Sequence, residues 1–279
     1  FSFIFSSSFI LSIENQLIDF HNHVLPAVDD GSKSLEMSLI MLRHAAEQGI
    51  TDVVNTVHFQ HPKVEVNEIT HQRISDVINN LQDELINQEI PVTLHSGAEV
   101  FFLPNLLDIK SEPLATFGNG KYMLIEFLIH HIPETQKQVL FDLKMNGVTP
   151  IIAHPERYRP VQENITLIYD WLSAGCLVQV DAGSVLGFLG KSARQVAEKI
   201  IKNNWCQILG SDAHDNRKRN FCLKDAYEIV QGWVGNDVRA MVVDHPQAVL
   251  AGQHISVDVD TMPEEIPGLW KKLIHHYTN

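Results

Sequence analysis

Seven short runs of aliphatic and β-branched residues punctuate the chain: LIDFHNHV (17–24), TDVVNTVHF (51–59), VTLHSGAEV (92–100), YMLIEFL (122–128), TPIIAHPE (149–156), LVQVDAG (177–183) and CQILGSDAH (206–214). Each is too short for a helix, and most precede a longer stretch with apolar residues at helical spacing. That spacing predicts helices over SLEMSLIMLRHAAEQG (34–49), closed by Gly49, and over VNEITHQRISDVINNLQDELINQ (66–88). Two more follow from IPETQKQVLFDLKMNG (132–147) and SARQVAEKIIKNN (192–204).

Alternation of this kind implies parallel strands joined by crossover helices, and near-continuous apolar runs suit strands covered on both faces. Seven repeats point to a closed α/β barrel, with a doubly wound open sheet as the competing fold. The chain has 279 residues, 44% of them hydrophobic, enough to bury one full core. We therefore expect a single barrel domain over residues 17–279, preceded by an N-terminal extension over 1–16.

Charge narrows the function. Twenty-one Lys and Arg against 34 Asp and Glu leave a formal net charge of -13, which repels a nucleic-acid backbone. Cys176, Cys206 and Cys222 form no CxxC pair, so a reducing, cytoplasmic compartment is expected. The apolar start FSFIFSSSFILS lacks a basic leader region and is too short to span a bilayer, so no stable membrane insertion is expected.

Six of the seven runs carry a metal-competent side chain at or just beyond the C-terminal end: His21 and His23, His58, Glu99, Glu126, His154, then Asp212 and His214. Barrel enzymes keep their active sites at that end. A single polar residue there would mean only that solvent begins, but the repetition points to a common purpose. His21 and His23 lie two apart on a strand and so face one point, and Asp212 and His214 repeat the spacing. If the barrel closes, the first and last strands meet, and His21, His23 and Asp212 can share one ion. Glu99, Glu126 and His154 can hold a second, with one carboxylate bridging. Asp30 in VDDG, His58 and His214, displaced outward, can hold a third, although VDDG also reads as an ordinary turn. Imidazole and carboxylate without thiolate suit Mn, Zn, Fe or Mg. Asp19, ahead of His21, is either a partner that supports a ligand or a plain strand polar.

Two basic patches follow ligand-bearing strand ends: Arg157 and Arg159 in HPERYRP, and Arg217, Lys218 and Arg219 in DNRKRN. Arginine beside a metal cluster offers a bidentate donor for phosphate oxygens. A cysteine phosphatase loop would need Arg six residues after a Cys, where Ala182, Asp212 and Glu228 stand instead. Neither GxSxG, GxxxxGK[ST] nor a dinucleotide fingerprint occurs.

Together DFHNH, VDDG, GAEVF, IEF, AHPERY and GSDAH resemble the polymerase and histidinol phosphatase (PHP) family, and within it the bacterial tyrosine-protein phosphatases of capsular and exopolysaccharide synthesis. The resemblance covers about residues 17–250. It implies a distorted seven-stranded TIM-like barrel, (β/α)7, with three divalent ions per chain, manganese first among the candidates. The family pattern would place His21, His23, Glu99 and Asp212 on the first ion, Glu99, Glu126 and His154 on the second, and Asp30, His58 and His214 on the third. It also implies that Arg157, with Arg219 as a second, contacts the substrate phosphate. The partner implied is the phosphotyrosine-bearing tail of a bacterial tyrosine autokinase. Two segments depart from the pattern: NTVHFQHP (55–62) lacks the expected His- and Pro-rich form, leaving His61 a bystander or an alternative ligand, and Asp181 stands where Asn is more usual.

The competing functions are a histidinol-phosphatase-like small-molecule phosphatase, disfavoured because LPAVDDG replaces a Cys- and His-bearing loop, and an amidohydrolase, which would need a carboxylated Lys where Glu126 stands. A catalytically silent regulator that binds phosphotyrosine or metal is the third.

Overall fold

The computed structural model describes residues 16–62, 64 and 69–257. Of the expected N-terminal extension only Gln16 is among them, and residues 258–279 of the expected barrel domain also lie outside. The strands are β1 (Leu17–Asn22), β2 (Ile50–Phe59), β3 (Thr93–Phe101), β4 (Tyr122–Glu126), β5 (Thr149–Ala153), β6 (Leu177–Asp181) and β7 (Ile208–Gly210). They form one parallel sheet in the order β1-β2-β3-β4-β5-β6-β7. A doubly wound sheet would reverse its strand order partway. Here the order is sequential and the ends meet: Asn22 bridges Ala213, Asp212 N donates to His21 O at 2.7 Å, and His23 N donates to Ala213 O at 2.8 Å. The fold is the nearly closed barrel.

The core has the two layers that closure requires. Ile18 and Phe20 from β1, Val54 from β2, Leu124 from β4, Ile151 from β5, Leu177 from β6 and Ile208 from β7 form one cluster with Phe117. Side chains from so many strands of one sheet can meet only where the sheet curls around them. A larger cluster lies between the strands and the surrounding helices.

Helix α1 (Leu35–Glu47) starts where Ser34 accepts from Met37 N at 3.2 Å and ends before Gly49, close to the predicted span. Helix α2 (His71–Asn87) is capped by Thr70, shorter than the predicted 66–88, whose first residues fall partly outside those described. Helix α3 (Gln136–Met145) starts later than predicted, after a turn in which Gln136 N donates to Pro133 O. Then come α4 (Arg159–Glu163), α5 (Thr166–Ser173), α6 (Ala182–Leu186), α7 (Lys191–Lys202), α8 (Leu223–Val234) and α9 (His245–Leu250). The last two strand-like runs and that of β5 end earlier than the apolar pattern suggested. His154 and Asp212 leave the extended region at φ 32° and 48°, left-handed conformations unusual for residues with side chains. Such outliers concentrate at functional sites, and these two turn their side chains across the mouth of the barrel.

Candidate metal centre

All nine sequence-proposed ligands converge at the C-terminal end of the barrel. Glu99, on β3, is the hub. Its Oε2 lies 3.3 Å from His21 Nε2, 3.4 Å from His23 Nε2 and 3.2 Å from His58 Nδ1, while Oε1 meets His154 Nε2 at 2.8 Å. Asp212 Oδ1 faces His21 Nε2 and His23 Nε2 at 3.5 and 3.4 Å. Asp30 Oδ1 sits between His58 Nε2 and His214 Nε2 at 3.2 and 3.4 Å. Glu126 Oε1 lies 3.3 Å from His58 Nδ1.

The donor atoms fall into overlapping sets: His21, His23 and Asp212; His21, Glu99 and His154; His58, Glu99 and Glu126; and His23, Asp30, His58 and His214. This partition differs in detail from the expected one. His58 is not merely an outer residue, since its two nitrogens face opposite sets, and His23 joins the Asp30 group. His61, the undecided residue, stacks on His58 with ring centroids 4.5 Å apart and brings Nε2 to 3.4 Å from Glu126 Oε1.

The donor set suits divalent cations. His21 Nε2, His23 Nε2, His58 Nδ1 and Glu126 Oε1 are buried without a hydrogen bond, although opposite charges lie within 3.5 Å. Buried polar atoms are ordinarily satisfied, so several orphaned nitrogens and oxygens aimed at shared points are what ligation would complete. Burial lowers the pKa of His21, His23 and His58, but Glu99 and Asp212 at His21, Asp29 at His23 and Asp30 at His58 outweigh it and raise all three. Burial, with Arg157 nearby, pushes His154 down to about 4, and burial with the charge of His23 lowers His214. Burial opposes the charge on Glu99 and Asp212, yet the surrounding imidazoles hold both well below the usual carboxylate range.

Residues that sequence reasoning did not single out hold the ligands in place. Asp29 Oδ2 accepts from His23 Nδ1 at 2.8 Å and from His58 N at 3.1 Å. Gln179 Oε1 accepts from His21 Nδ1 at 2.9 Å and from His154 N at 3.3 Å. An amide or carboxylate oxygen only accepts, so Nδ1 of both histidines carries a proton and Nε2 is the nitrogen turned toward the shared points. The signal was present as the doubled Asp of VDDG and as one polar residue, Gln179, in an apolar strand. Asp19 plays a comparable role in joining strands: Oδ2 accepts from Ser211 N at 3.0 Å and Oδ1 from His21 N at 3.2 Å.

Both arginines reach the centre through one oxygen. Arg157 Nη1 and Arg219 Nη2 lie 2.5 and 2.6 Å from Asp212 Oδ2, whereas Asp212 Oδ1 faces the histidines. Arg157 also approaches Asp181 Oδ2 at 3.6 Å. The buried Glu156 is turned away, accepting from Asp181 N. Arg219 therefore separates from Arg217 and Lys218, which are exposed on a loop whose amides donate to Asp215 Oδ1. The three cysteines are buried and free, and burial raises each thiol pKa, that of Cys176 to about 12, so none is poised as a nucleophile.

Comparison with known proteins agrees with this geometry. A sequence model of the family described as capsular polysaccharide synthesis, CpsB/CapC, matches residues 17–251. The chain is 31% identical over 240 residues to the tyrosine-protein phosphatase YwqE of Bacillus subtilis (strain 168), covering 86% of this chain and 93% of that protein. It is 32% identical over 212 residues to the putative tyrosine-protein phosphatase CapC of Staphylococcus aureus, covering 76% and 82%. Among solved structures, one described with YwqE and Streptococcus pneumoniae CpsB as unique metal-dependent tyrosine phosphatases superposes with a TM-score of 0.81 at 30% identity, covering 87% of this chain and 98% of that one. A histidinol phosphate phosphatase from Lactococcus lactis shares the fold alone, with a TM-score of 0.52 at 14% identity.

Proposed function

The chain belongs to the CpsB/CapC family of capsular polysaccharide synthesis, and from that membership and the site's geometry we propose a metal-dependent tyrosine-protein phosphatase. Its substrate would be phosphotyrosine on a protein of capsule or exopolysaccharide synthesis, specifically the tail of a bacterial tyrosine kinase. One observation supports the reading: nine imidazole and carboxylate side chains able to ligate a metal, Glu99 and Asp212 at their centre, converge with two arginines at one end of the barrel.

His21, His23, Glu99 and Asp212, then Glu99, Glu126 and His154, then Asp30, His58 and His214 would hold three divalent ions, manganese being our first choice. Such ions supply Lewis acidity and make a water nucleophile available near neutral pH. Hydrolysis forms one P–O bond to the water oxygen and breaks the one to the tyrosyl oxygen, with no covalent enzyme intermediate. The chain's own part is positioning and charge. Arg157 and Arg219, already within reach of the ligand Asp212, would donate to phosphoryl oxygens, where a preorganised cation lowers the barrier most. Gln179 and Asp29 hold the imidazoles in the tautomer that ligation needs. Among the described residues no helix is long and apolar enough to cross a membrane. Three free cysteines support a reducing, cytoplasmic setting.

Turnover of a phosphotyrosine peptide and of histidinol phosphate, compared side by side, tests the proposal. The peptide should have the higher kcat/KM by at least an order of magnitude; preference for histidinol phosphate would replace this reading with the small-molecule one.

A further inference from the structure

The phosphate end of the substrate has arginines to meet it, which leaves the aryl ring without an assigned seat. Phe188 is an exposed aromatic that lines a depression with one of them, Arg219. It follows α6, in the loop GFLG between Gly187 at φ 87° and Gly190 at φ 97°, where left-handed backbone favours glycine. Phe188 N donates to Gly183 O at 2.9 Å, so the loop is tied down at the ring's own residue. The ring nevertheless stays 65% exposed. It lines a small depression with Asp181, Gly183, Ser211, Lys218 and Arg219. Asp181 links this depression to the centre, accepting from Gly183 N at 2.6 Å with Oδ1 and facing Arg157 with Oδ2.

A lone exposed hydrophobic needs no explanation, but its position here matters. A phosphotyrosine whose phosphate engages Arg219 lies beside the depression that Phe188 lines. Stacking against a fixed phenyl face costs little entropy and favours an aryl over an alkyl ester. In the segment after β4 the exposed Leu128 and Ile129 offer aliphatic side chains rather than a ring. Resting on the phosphotyrosine reading above, we infer that Phe188 is the platform for the substrate's aromatic ring and so determines selectivity for aryl phosphates.

Steady-state kinetics of the metal-loaded wild type, Phe188→Ala, Phe188→Trp, Phe188→Leu and Leu128→Ala test this, with a phosphotyrosine peptide as substrate and inorganic phosphate as competitive inhibitor. Phe188→Ala should raise KM for the peptide about tenfold, the size of a lost aromatic contact, and change kcat by less than about twofold. The inhibition constant of inorganic phosphate, which has no ring, should not move. Phe188→Trp should restore KM and Phe188→Leu should not. An unchanged KM in Phe188→Ala, a parallel loss of phosphate inhibition, or a KM rise confined to Leu128→Ala would each overturn the assignment. Wild-type protein that hydrolyses histidinol phosphate but not the peptide would instead remove the phosphotyrosine reading on which it rests.

Discussion

Gly31 packs so closely on His23 that a Cβ there would lie 2.0 Å from the His23 carbonyl oxygen and 2.5 Å from its Cβ. The VDDG turn is thus pressed against a proposed ligand, and its glycine is required by contact with that residue. Gly31→Ala should push His23 off its position, costing about 1–3 kcal/mol as an overpacked buried site does. Melting temperature and metal content per chain should both fall. Gly210, whose added Cβ would meet His21 Cβ at 2.6 Å, should behave alike. Wild-type values for both variants would show that the backbone yields without disturbing the ligands.

Asp29→Asn keeps the size of the side chain but removes the charge that orients His23 and receives His58 N. Gln179→Ala removes the acceptor that fixes His21. Each should weaken metal affinity about 10–100-fold, as loss of a residue supporting a ligand does. Competition against a metal-sensitive dye measures it, and unaltered affinity in both variants would assign these contacts to folding alone.

The barrel was legible because its strands are buried on both faces and therefore read as apolar runs, and because six of them end in ligand chemistry. Less legible were the ends of those runs. His154 and Asp212 continue the pattern of their strands, but their backbones turn left-handed, which apolar spacing does not encode. The division of donors among sets was also hidden, since whether Glu99 meets His58 depends on the parallel register of β2 and β3, where His58 pairs with Glu99 directly. Asp29 escaped notice because a doubled Asp in a turn has a sufficient local explanation. The pairing of Arg157 and Arg219 on one oxygen of Asp212 needs the β5-β6-β7 order that carries Arg157 to Asp212, 55 residues away in sequence, whereas Arg219 is on the same loop as Asp212.

Arg157→Ala should lower turnover of a phosphotyrosine peptide on the order of 10²-fold if the guanidinium meets charge developing on the phosphoryl oxygens. Arg157→Lys should recover part of that loss, since a point charge replaces the fork. Metal content should be unchanged in both. If Arg157 only braces Asp181 and Asp212, the alanine variant would melt lower and turn over normally.

Metal uptake should release protons. Without ions, His21, His23 and His58 have pKa values raised above 6.5, so each holds its proton to a higher pH than a free imidazole and a cation must displace it. Affinity should therefore fall as pH falls through this range, and calorimetry in buffers of different ionisation enthalpy should register the release. His154, pushed down to about 4, contributes none near neutrality, and His214, also shifted downward, contributes less than a free imidazole. The linkage also acts on folding: in chelated protein the stability from the three raised histidines is fully present below pH 6.5 and is lost as pH rises through their folded values. Binding with no proton release at pH 7 would contradict the ligand roles of these three histidines.

The most direct measurement titrates manganese into chelator-stripped protein while following both bound metal and turnover of a phosphotyrosine peptide. Turnover should be absent from the stripped protein, return as manganese binds, and reach its plateau only above a single ion per chain. Full turnover in protein that elemental analysis shows to be free of divalent ions would contradict a metal-dependent phosphatase built around Glu99 and Asp212.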